Sequence, residues 1–160
     1  MKNFEFDELW NRLPSVIRSS CDKCEQDPKY HPEGVVTEHT RLVFEYAKKH
    51  FPDYPILLVR AIFHDSGKPE TQRVITKNGK QRITNYGHEK VGLKYIEKYI
   101  HLYSDVSNDK ETIYNICKQH MRIHLYKNGR MTKPNKRKDL EEKTYFELLM
   151  KFSECDENGR

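Results

Sequence analysis

Apolar residues recur every three or four positions over most of the chain, the spacing that predicts amphipathic helices. Proline and glycine punctuate the pattern, and two prolines and a glycine predict a loop over residues 25–34. The predicted helices cover residues 4–13, a short segment after Pro14, and then about 36–50, 55–65, 87–102, 109–125 and 139–156.

Two segments depart from this amphipathic pattern. Residues 55–65 are apolar nearly all round, which predicts a buried central helix, and we place Gly67 as its C-terminal cap. Residues 73–84 carry short alternating runs on either side of an Asn-Gly pair, the strongest short signal for a β-hairpin. We therefore expect one all-α domain, residues 1–160, that is a helical bundle with one small β-hairpin near residues 73–84.

Composition bears on partners and location more than on fold. The net charge of +5 suits a polyanionic substrate. No stretch is long and apolar enough to span a membrane, and the N-terminus lacks the apolar region of a secretory signal. We therefore expect a soluble, cytoplasmic protein that does not bind membranes.

Four cysteines are present, and without a secretion signal we do not expect disulfides. Cys21 and Cys24 form one Cys-x-x-Cys pair, which is half of a common zinc-ligand set. His31 could add a third ligand, but a fourth is missing. We favour the alternative, two incidental thiols. Cys117 and Cys155 fall on apolar helix faces, where they are most simply small core residues.

Six histidine and aspartate residues lie on the inner faces of predicted helices. His64 and Asp65 end the central helix, where the partial negative charge of the helix terminus favours a cation. The other four lie three, four or seven residues from apolar neighbours and so share their faces; they are His39, His88, His120 and Asp156. One buried histidine is usually a hydrogen-bonded core residue. Four histidines and two aspartates on inner faces are harder to explain in that way.

Burying such a polar set is costly unless something compensates, and a metal cation is the usual compensation. Imidazole and carboxylate are ligands for Mn, Fe, Co, Ni or Zn, and a carboxylate can bridge two ions. The six residues divide into two candidate sites that share one aspartate. The first would contain His39, His64, Asp65 and Asp156, and the second would contain His88, His120 and the bridging Asp65.

The order of these residues resembles that of the HD-domain metal-dependent phosphohydrolase superfamily, which is named for an adjacent His-Asp pair. Within it, the chain is most similar to the HD domain of some bacterial CCA-adding tRNA nucleotidyltransferases. The strings that carry this likeness are Tyr30-His31-Pro32-Glu33-Gly34, His64-Asp65-Ser66-Gly67-Lys68-Pro69 and Tyr86-Gly87-His88-Glu89-Lys90-Val91-Gly92. The likeness is dense over about residues 26–92 and beyond them includes only His120 and Asp156.

The resemblance implies an HD-domain-like helical bundle and one or two divalent ions (Mn²⁺, Ni²⁺, Co²⁺, Fe²⁺ or Mg²⁺). It also implies attack by a metal-bound hydroxide on phosphomonoesters or 2′,3′-cyclic phosphodiesters of nucleotides or RNA ends. The first alternative is a (d)NTP or alarmone (ppGpp-type) hydrolase on the same metal centre. The second is a nucleic-acid-binding regulatory protein with a vestigial HD site, and the intact ligand set argues against it.

Residues close to the HD pair have more specific expected roles. Asp65 would ligate metal and help to orient the nucleophile. Lys68 is the candidate for holding a phosphate; the alternative is an exposed lysine after a helix end. Glu89 would orient a ligand or protonate the leaving group, unless it is only a first-turn glutamate favoured by the helix dipole. His31 could reach the substrate from its loop.

The segment after His120 adds two expectations. His124 either supplies the second histidine found in some two-metal members or caps its helix, and we favour the cap. Residues 127–138 contain six basic residues and no acidic one, and they join two ligand-bearing helices. We expect this loop to border the metal centre, with Arg130 near the substrate. It would either contact a nucleic-acid backbone or be a solvated basic connector, and both remain open.

Overall fold

The computed structural model describes residues 2–160 and is mostly helical. The helices are α1 (Phe6–Trp10), α2 (Ser15–Lys23), α3 (Val36–His50), α4 (Ile56–His64), α5 (Lys68–Thr71), α6 (His88–Tyr99), α7 (Lys110–Lys127), α8 (Pro134–Glu141) and α9 (Phe146–Asn158). Strands β1 (Arg73–Lys77) and β2 (Lys80–Thr84) and a 3-10 turn (Ile100–Tyr103) complete the order. The predicted all-α bundle with one small hairpin is confirmed. Within residues 2–160, no helix is both long and apolar enough to cross a membrane.

Helix α4 lies at the centre of the bundle, as its apolar sequence predicts. All nine of its residues are buried, and it packs against α3, α6, α7 and α9. Even Arg60 is fully buried, with its guanidinium carbon 3.9 Å from the ring centre of Phe152. The C-terminal end of α4, which carries the His-Asp pair, is therefore surrounded by the inner faces of four other helices.

The hairpin forms where the Asn-Gly pair predicts it. Strands β1 and β2 are antiparallel, and Lys77 lies directly opposite Lys80 beside the turn. Asn78 and Gly79 both have positive φ, at 52° and 73°. A two-residue turn of type I′ requires this combination, and its twist matches that of the paired strands.

The predicted single helix over residues 139–156 is wrong, because the structure divides this region between α8 and α9. Helix α8 starts at Pro134, which suits a first turn because that position needs no N–H donor. Leu140 and Leu149 are both buried although they are nine residues apart. That separation is about two and a half turns, so one straight helix would point them in opposite directions. The break after α8 lets both reach the core.

The predicted cap at Gly67 is wrong, because Asp65 takes the C-cap position of α4. The φ of Gly67 is −84°, in the region that any residue adopts. A Cβ at this position would overlap the carbonyl oxygen of His88 and would stand 2.8 Å from the backbone nitrogen of Gly92. The missing side chain therefore lets the end of α4 pack directly on the start of α6. This close contact brings the His64–Asp65 pair beside His88.

Candidate metal centre

The structure brings the six predicted side chains together, and all six are buried. They come from α3 (His39), the end of α4 (His64 and Asp65), the start of α6 (His88), α7 (His120) and α9 (Asp156). In the first group, Asp156 Oδ1 lies 2.9 Å from His39 Nε2 and 3.8 Å from His64 Nε2. Asp65 Oδ2 lies 3.6 Å and 3.4 Å from the same two nitrogens.

The second group uses the other oxygen of the same aspartate. Asp65 Oδ1 lies 3.3 Å from His88 Nε2, which in turn lies 3.0 Å from His120 Nε2. Asp65 therefore directs one carboxylate oxygen towards each group, as a carboxylate that bridges two ions would. His39, His64 and Asp65, and again Asp65, His88 and His120, each offer ligand atoms within 4.8 Å of one another.

Three of the histidines share one hydrogen-bonding arrangement. Each has Nδ1 at 2.7 or 2.8 Å from the backbone carbonyl oxygen of the residue three positions earlier. The three are His64, His88 and His120. A carbonyl oxygen can only accept a hydrogen bond, so Nδ1 carries the proton and Nε2 of the neutral ring keeps its lone pair. Histidines that bind metals in proteins are oriented by hydrogen bonds of this kind.

The Nε2 atoms of these histidines lack good hydrogen-bond donors within the protein. The Nε2 lone pairs of His88 and His120 face each other at 3.0 Å, which is repulsive unless positive charge lies between them. Burial lowers the pKa of His120 well below its usual value, and the charge of Arg60 adds to the effect. Within residues 2–160, the buried atom His64 Nε2 finds no hydrogen-bond partner. A divalent cation would satisfy all of these atoms.

His39 differs from the other histidines because carboxylates contact both of its nitrogens. Its Nε2 lies 2.9 Å from Asp156 Oδ1, and its Nδ1 lies 2.7 Å from Glu33 Oε1 and 2.8 Å from the carbonyl oxygen of Gly159. Burial opposes protonation, but the hydrogen bonds with Asp156 and Glu33 raise the pKa of His39 to about 9. In the metal-free protein, a proton on His39 thus offsets the negative charge of these carboxylates.

Glu33 is a member of this cluster that the helical pattern of the sequence does not predict. Its Oε1 contacts His31 Nδ1 at 2.9 Å as well as His39. Burial would raise the pKa of Glu33, but the hydrogen bonds with His39 and His31 lower it to about 2. Glu33 lies in the 25–34 loop, where helical periodicity gives no information. Its place beside His31 in a family-like string was the available signal.

His124 also belongs to the site, and its assignment as a helix cap is wrong. Its Nε2 lies 2.8 Å from Asp156 Oδ2, so its side chain points to the ligand cluster instead of to the helix end. Burial would raise the pKa of Asp156, yet hydrogen bonds with His124 and His39 hold it well below its usual value. Asp156 is therefore an anion held between two imidazoles.

Lys68 is buried, so the alternative of a solvent-exposed lysine is wrong. Its Nζ lies 2.7 Å from Asp65 Oδ2, as an ion pair, and 2.7 Å from Gln26 Oε1 as a hydrogen-bond donor. Burial would raise the pKa of Asp65, but the charge of Lys68 holds it well below its usual value. An ammonium group has three hydrogens to donate, so Lys68 can still contact a third group.

An open cavity of about 520 Å³ leads from the surface to this cluster. Of the predicted residues, its lining includes His31, Asp65, Lys68, His88, Glu89, His120 and Asp156. Glu89 Oε2 is 3.9 Å from His88 Nδ1, which already donates to the carbonyl oxygen of Asn85. Glu89 is therefore not the group that orients His88, and its half-buried carboxylate is free to act on a ligand in the cavity.

The basic segment does not border the cavity as expected. None of residues 127–138, Arg130 included, is part of the lining, and the Arg130 side chain is exposed. Lys127 instead forms an ion pair with Glu157 at 2.9 Å. The guanidinium of Arg137 lies 4.2 Å from the ring centre of Tyr126. These contacts hold the segment against α7 and α9, and its last residues belong to α8.

The zinc alternative for Cys21 and Cys24 is not formed. Both are buried, and Cys24 Sγ lies 3.5 Å from Gln72 Oε1. In the part of the chain that the structure describes, no group of metal-type ligands includes a cysteine. His31, the expected third ligand, contacts Glu33 instead. Cys117 and Cys155 are buried, as predicted.

The comparison with known families agrees with this arrangement. The HD domain model matches residues 36–149, which is more than half of the chain. The chain belongs to the HD domain family. Five of the six predicted ligands lie inside the matched span, and Asp156 lies beyond it.

Membership of the HD domain family implies the metal-dependent phosphohydrolase superfamily, and the His/Asp cluster could hold a divalent ion. No curated protein and no solved structure shows significant similarity to the chain. The closer likeness to the CCA-adding enzymes therefore stays a prediction.

Proposed function

We propose that the chain is a hydrolase of phosphomonoesters or 2′,3′-cyclic phosphodiesters of nucleotides or RNA ends, dependent on one or two divalent ions. One observation carries this proposal. The Nε2 atoms of His64 and His88 lie at 3.4 Å and 3.3 Å from opposite oxygens of the buried Asp65, and His120 faces His88. A cluster of imidazoles and carboxylates at the bottom of an open cavity is suited to divalent cations.

The residues fit two ions that share Asp65. His39, His64 and Asp156 would complete one site, and His88 and His120 the other. When bound, divalent ions lower the pKa of water towards neutrality and neutralise charge on phosphoryl oxygens. The carboxylates Asp65, Asp156 and Glu33 stay ionised at neutral pH, so the cluster attracts cations before any substrate enters.

Two pocket residues would act on the substrate directly. Lys68 points its ammonium group at the cluster and would donate its third hydrogen to a phosphate oxygen, holding the phosphoryl group beside Asp65. Glu89 lies in the cavity wall and does not orient His88, so it would protonate the oxygen of the leaving group. His31, fixed by Glu33, would contact the rest of the phosphate ester.

The cavity also suits a nucleotide in size and lining. Its volume of about 520 Å³ lies in the range of small-ligand pockets, roughly 300–1,000 Å³. Ile83 and Met121 supply apolar surface, and Tyr30 and Tyr86 add aromatic rings at its side. A ribose and a base can therefore be accommodated while the phosphate reaches the histidines.

A panel of four substrate types tests this function. We expect hydrolysis of p-nitrophenyl phosphate and 2′,3′-cyclic AMP in the presence of Mn²⁺, Ni²⁺ or Mg²⁺, and loss of that hydrolysis with EDTA. Released phosphate and product nucleotides, separated by chromatography, are the measurement. Hydrolysis of dNTPs alone, or of ppGpp alone, would replace this substrate assignment by the corresponding alternative.

Glu33→Ala tests the support of the ligand set. Removing the carboxylate that accepts from His39 is expected to weaken divalent-ion binding about 10–100-fold, because such outer groups fix ligand orientation. Isothermal titration with Mn²⁺ measures the change. Glu33→Gln keeps an oxygen for His39 and should recover part of the affinity.

Glu38→Ala is the matched control for this experiment, since it removes a glutamate that pairs with Arg41 at 3.7 Å. It is expected to bind Mn²⁺ like the unchanged protein. Unaltered Mn²⁺ affinity in Glu33→Ala would show that Glu33 does not support the site.

A further inference from the structure

A second cavity adjoins, on the side of the hairpin, the cavity that leads to the His/Asp cluster, which we call the metal pocket. The second cavity has a volume of about 510 Å³ and lies between the 25–34 loop and the two strands. Five residues line both cavities, so the two adjoin, and we refer to them together as the cleft; the five are Asp27, Tyr30, Ile83, Thr84 and Tyr86. The metal cluster lies at one end of this cleft, and the hairpin turn lies at the other.

The outer part of the cleft is basic. Its lining includes Lys29, Lys77, Lys80 and Arg82. Lys77 and Lys80 are directly opposite each other across the strands, and both are exposed. Among residues 2–160, no carboxylate lies within ion-pair distance of Lys29, Lys77 or Lys80. Like charges opposite each other destabilise a strand pair, and an anion bound at the two hairpin lysines would relieve that repulsion.

The cleft has a fixed shape because an ion pair ties the loop to the hairpin. Arg82 Nε and its terminal nitrogen lie 2.7 and 3.0 Å from the two carboxylate oxygens of Asp27. The same carboxylate accepts backbone N–H groups from Lys29 at 3.0 Å and Ile83 at 3.3 Å. Arg82 is thereby neutralised and structural. The lysines are left as the cations available to a ligand.

Two exposed aromatic rings lie where the two parts of the cleft meet. Tyr30 is 52 % exposed and Tyr86 is 83 % exposed. The guanidinium of Arg82 lies 5.4 Å from the ring centre of Tyr30 and holds that ring at the cleft. Exposed rings beside a basic groove are the arrangement on which successive bases of a single strand stack.

We infer that this cleft binds single-stranded nucleic acid, with the strand's terminal phosphate at the metal cluster, bases against Tyr30 and Tyr86, and backbone phosphates at Lys77 and Lys80. The inference rests on the proposed function and narrows its substrate from free nucleotides to strand ends. It also moves the expected nucleic-acid contact from residues 127–138 to the hairpin.

Binding of a labelled oligonucleotide tests the cleft without any chemistry. The probe is a fluorescent RNA of about six nucleotides with a 3′-hydroxyl end, within the usual range of single-strand site sizes, and its anisotropy is measured in EDTA, so that binding reports only the tyrosine and lysine contacts. The 3′-phosphorylated form of the same RNA is the substrate in the kinetic test below. Lys77→Ala/Lys80→Ala is expected to weaken binding about tenfold and to make the negative slope of log affinity against log salt shallower by about 1 to 1.5.

Two double variants are the controls, because each removes two lysine charges at a site outside the cleft. Lys94→Ala/Lys98→Ala changes exposed lysines of α6, and Lys136→Ala/Lys138→Ala changes exposed lysines of the basic segment. Both are expected to bind the RNA like the unchanged protein. An equal loss in all three variants, or none in the hairpin variant, would overturn the inference. So would equal or tighter binding of the matched duplex.

Kinetics separates this inference from the proposed function. Neither hairpin lysine lines the metal pocket, so the hairpin variant should hydrolyse p-nitrophenyl phosphate normally while its KM for the oligonucleotide rises about tenfold. Normal kinetics on both substrates would overturn the cleft assignment and leave the phosphohydrolase standing. A protein that hydrolyses neither substrate would contradict the proposed function, and the anisotropy result would then decide the cleft alone.

Discussion

Asp65→Asn is expected to lower phosphohydrolase activity at least about a thousandfold, which corresponds to about 4 kcal/mol of activation free energy. Asp65 is the side chain that both halves of the cluster share, with Oδ1 beside His88 and Oδ2 beside His39 and His64. The amide has nearly the same shape, but it is neutral and turns a donor NH₂ towards one of the two groups. One candidate site loses an anionic ligand and the other meets a hydrogen-bond donor.

Loss of metal binding should be visible in the stability of the same variant. With Mn²⁺ at about 100 times its dissociation constant, the unchanged protein gains about 2.7 kcal/mol. For a chain of this size, that gain raises the melting temperature by about 5–10 °C. Asp65→Asn should show almost no Mn²⁺-dependent shift in a thermal melt, so the result does not depend on knowing the substrate.

Asp53→Asn is the matched control, because this exposed aspartate precedes α4 and lies at the opposite end of that helix from Asp65. Its melting temperature should respond to Mn²⁺ as the unchanged protein does. A full Mn²⁺ shift in Asp65→Asn would remove Asp65 from the ligand set, and with it the shared-carboxylate arrangement.

Helical periodicity was sufficient to find residues whose side chains meet across the bundle. His39 and His120 stand on the apolar faces of α3 and α7, and any packing that buries those faces also buries the histidines. Helix α4 is apolar nearly all round, so burial of its C-terminal pair was expected. In such cases the position of a residue along one helix determines its environment, and sequence carries that information directly.

Other features depend on how two elements are oriented in space, and a single sequence does not state this. Glu33 reaches His39 from an irregular loop, and His124 reaches Asp156 only because α7 and α9 pack together. The prediction that residues 127–138 border the metal centre was wrong for the same reason. Joining two ligand-bearing helices does not place a segment at the end of those helices where the ligands lie.

Gly67→Ala is expected to destabilise the protein by about 3 kcal/mol or more, the upper part of the range for overpacking. The added Cβ would overlap the carbonyl oxygen of His88 and crowd the backbone nitrogen of Gly92. Both are backbone atoms, so no side chain can rotate away and the start of α6 must move from α4. His88 begins α6, so the second candidate site should lose Mn²⁺ affinity as well.

Gly92→Ala provides the comparison within the same helix contact. Its Cβ would lie 3.4 Å from the carbonyl oxygen of Phe63, a tight contact that a small shift relieves. Replacing glycine by alanine inside a helix also gains about 0.5–1 kcal/mol, so the net change should be close to zero. Urea denaturation should therefore show a much lower midpoint for Gly67→Ala and a nearly unchanged one for Gly92→Ala, with equal slopes. Similar midpoints would mean that the α4–α6 contact is looser than its geometry implies, and that His88 is not held against Asp65 by this glycine.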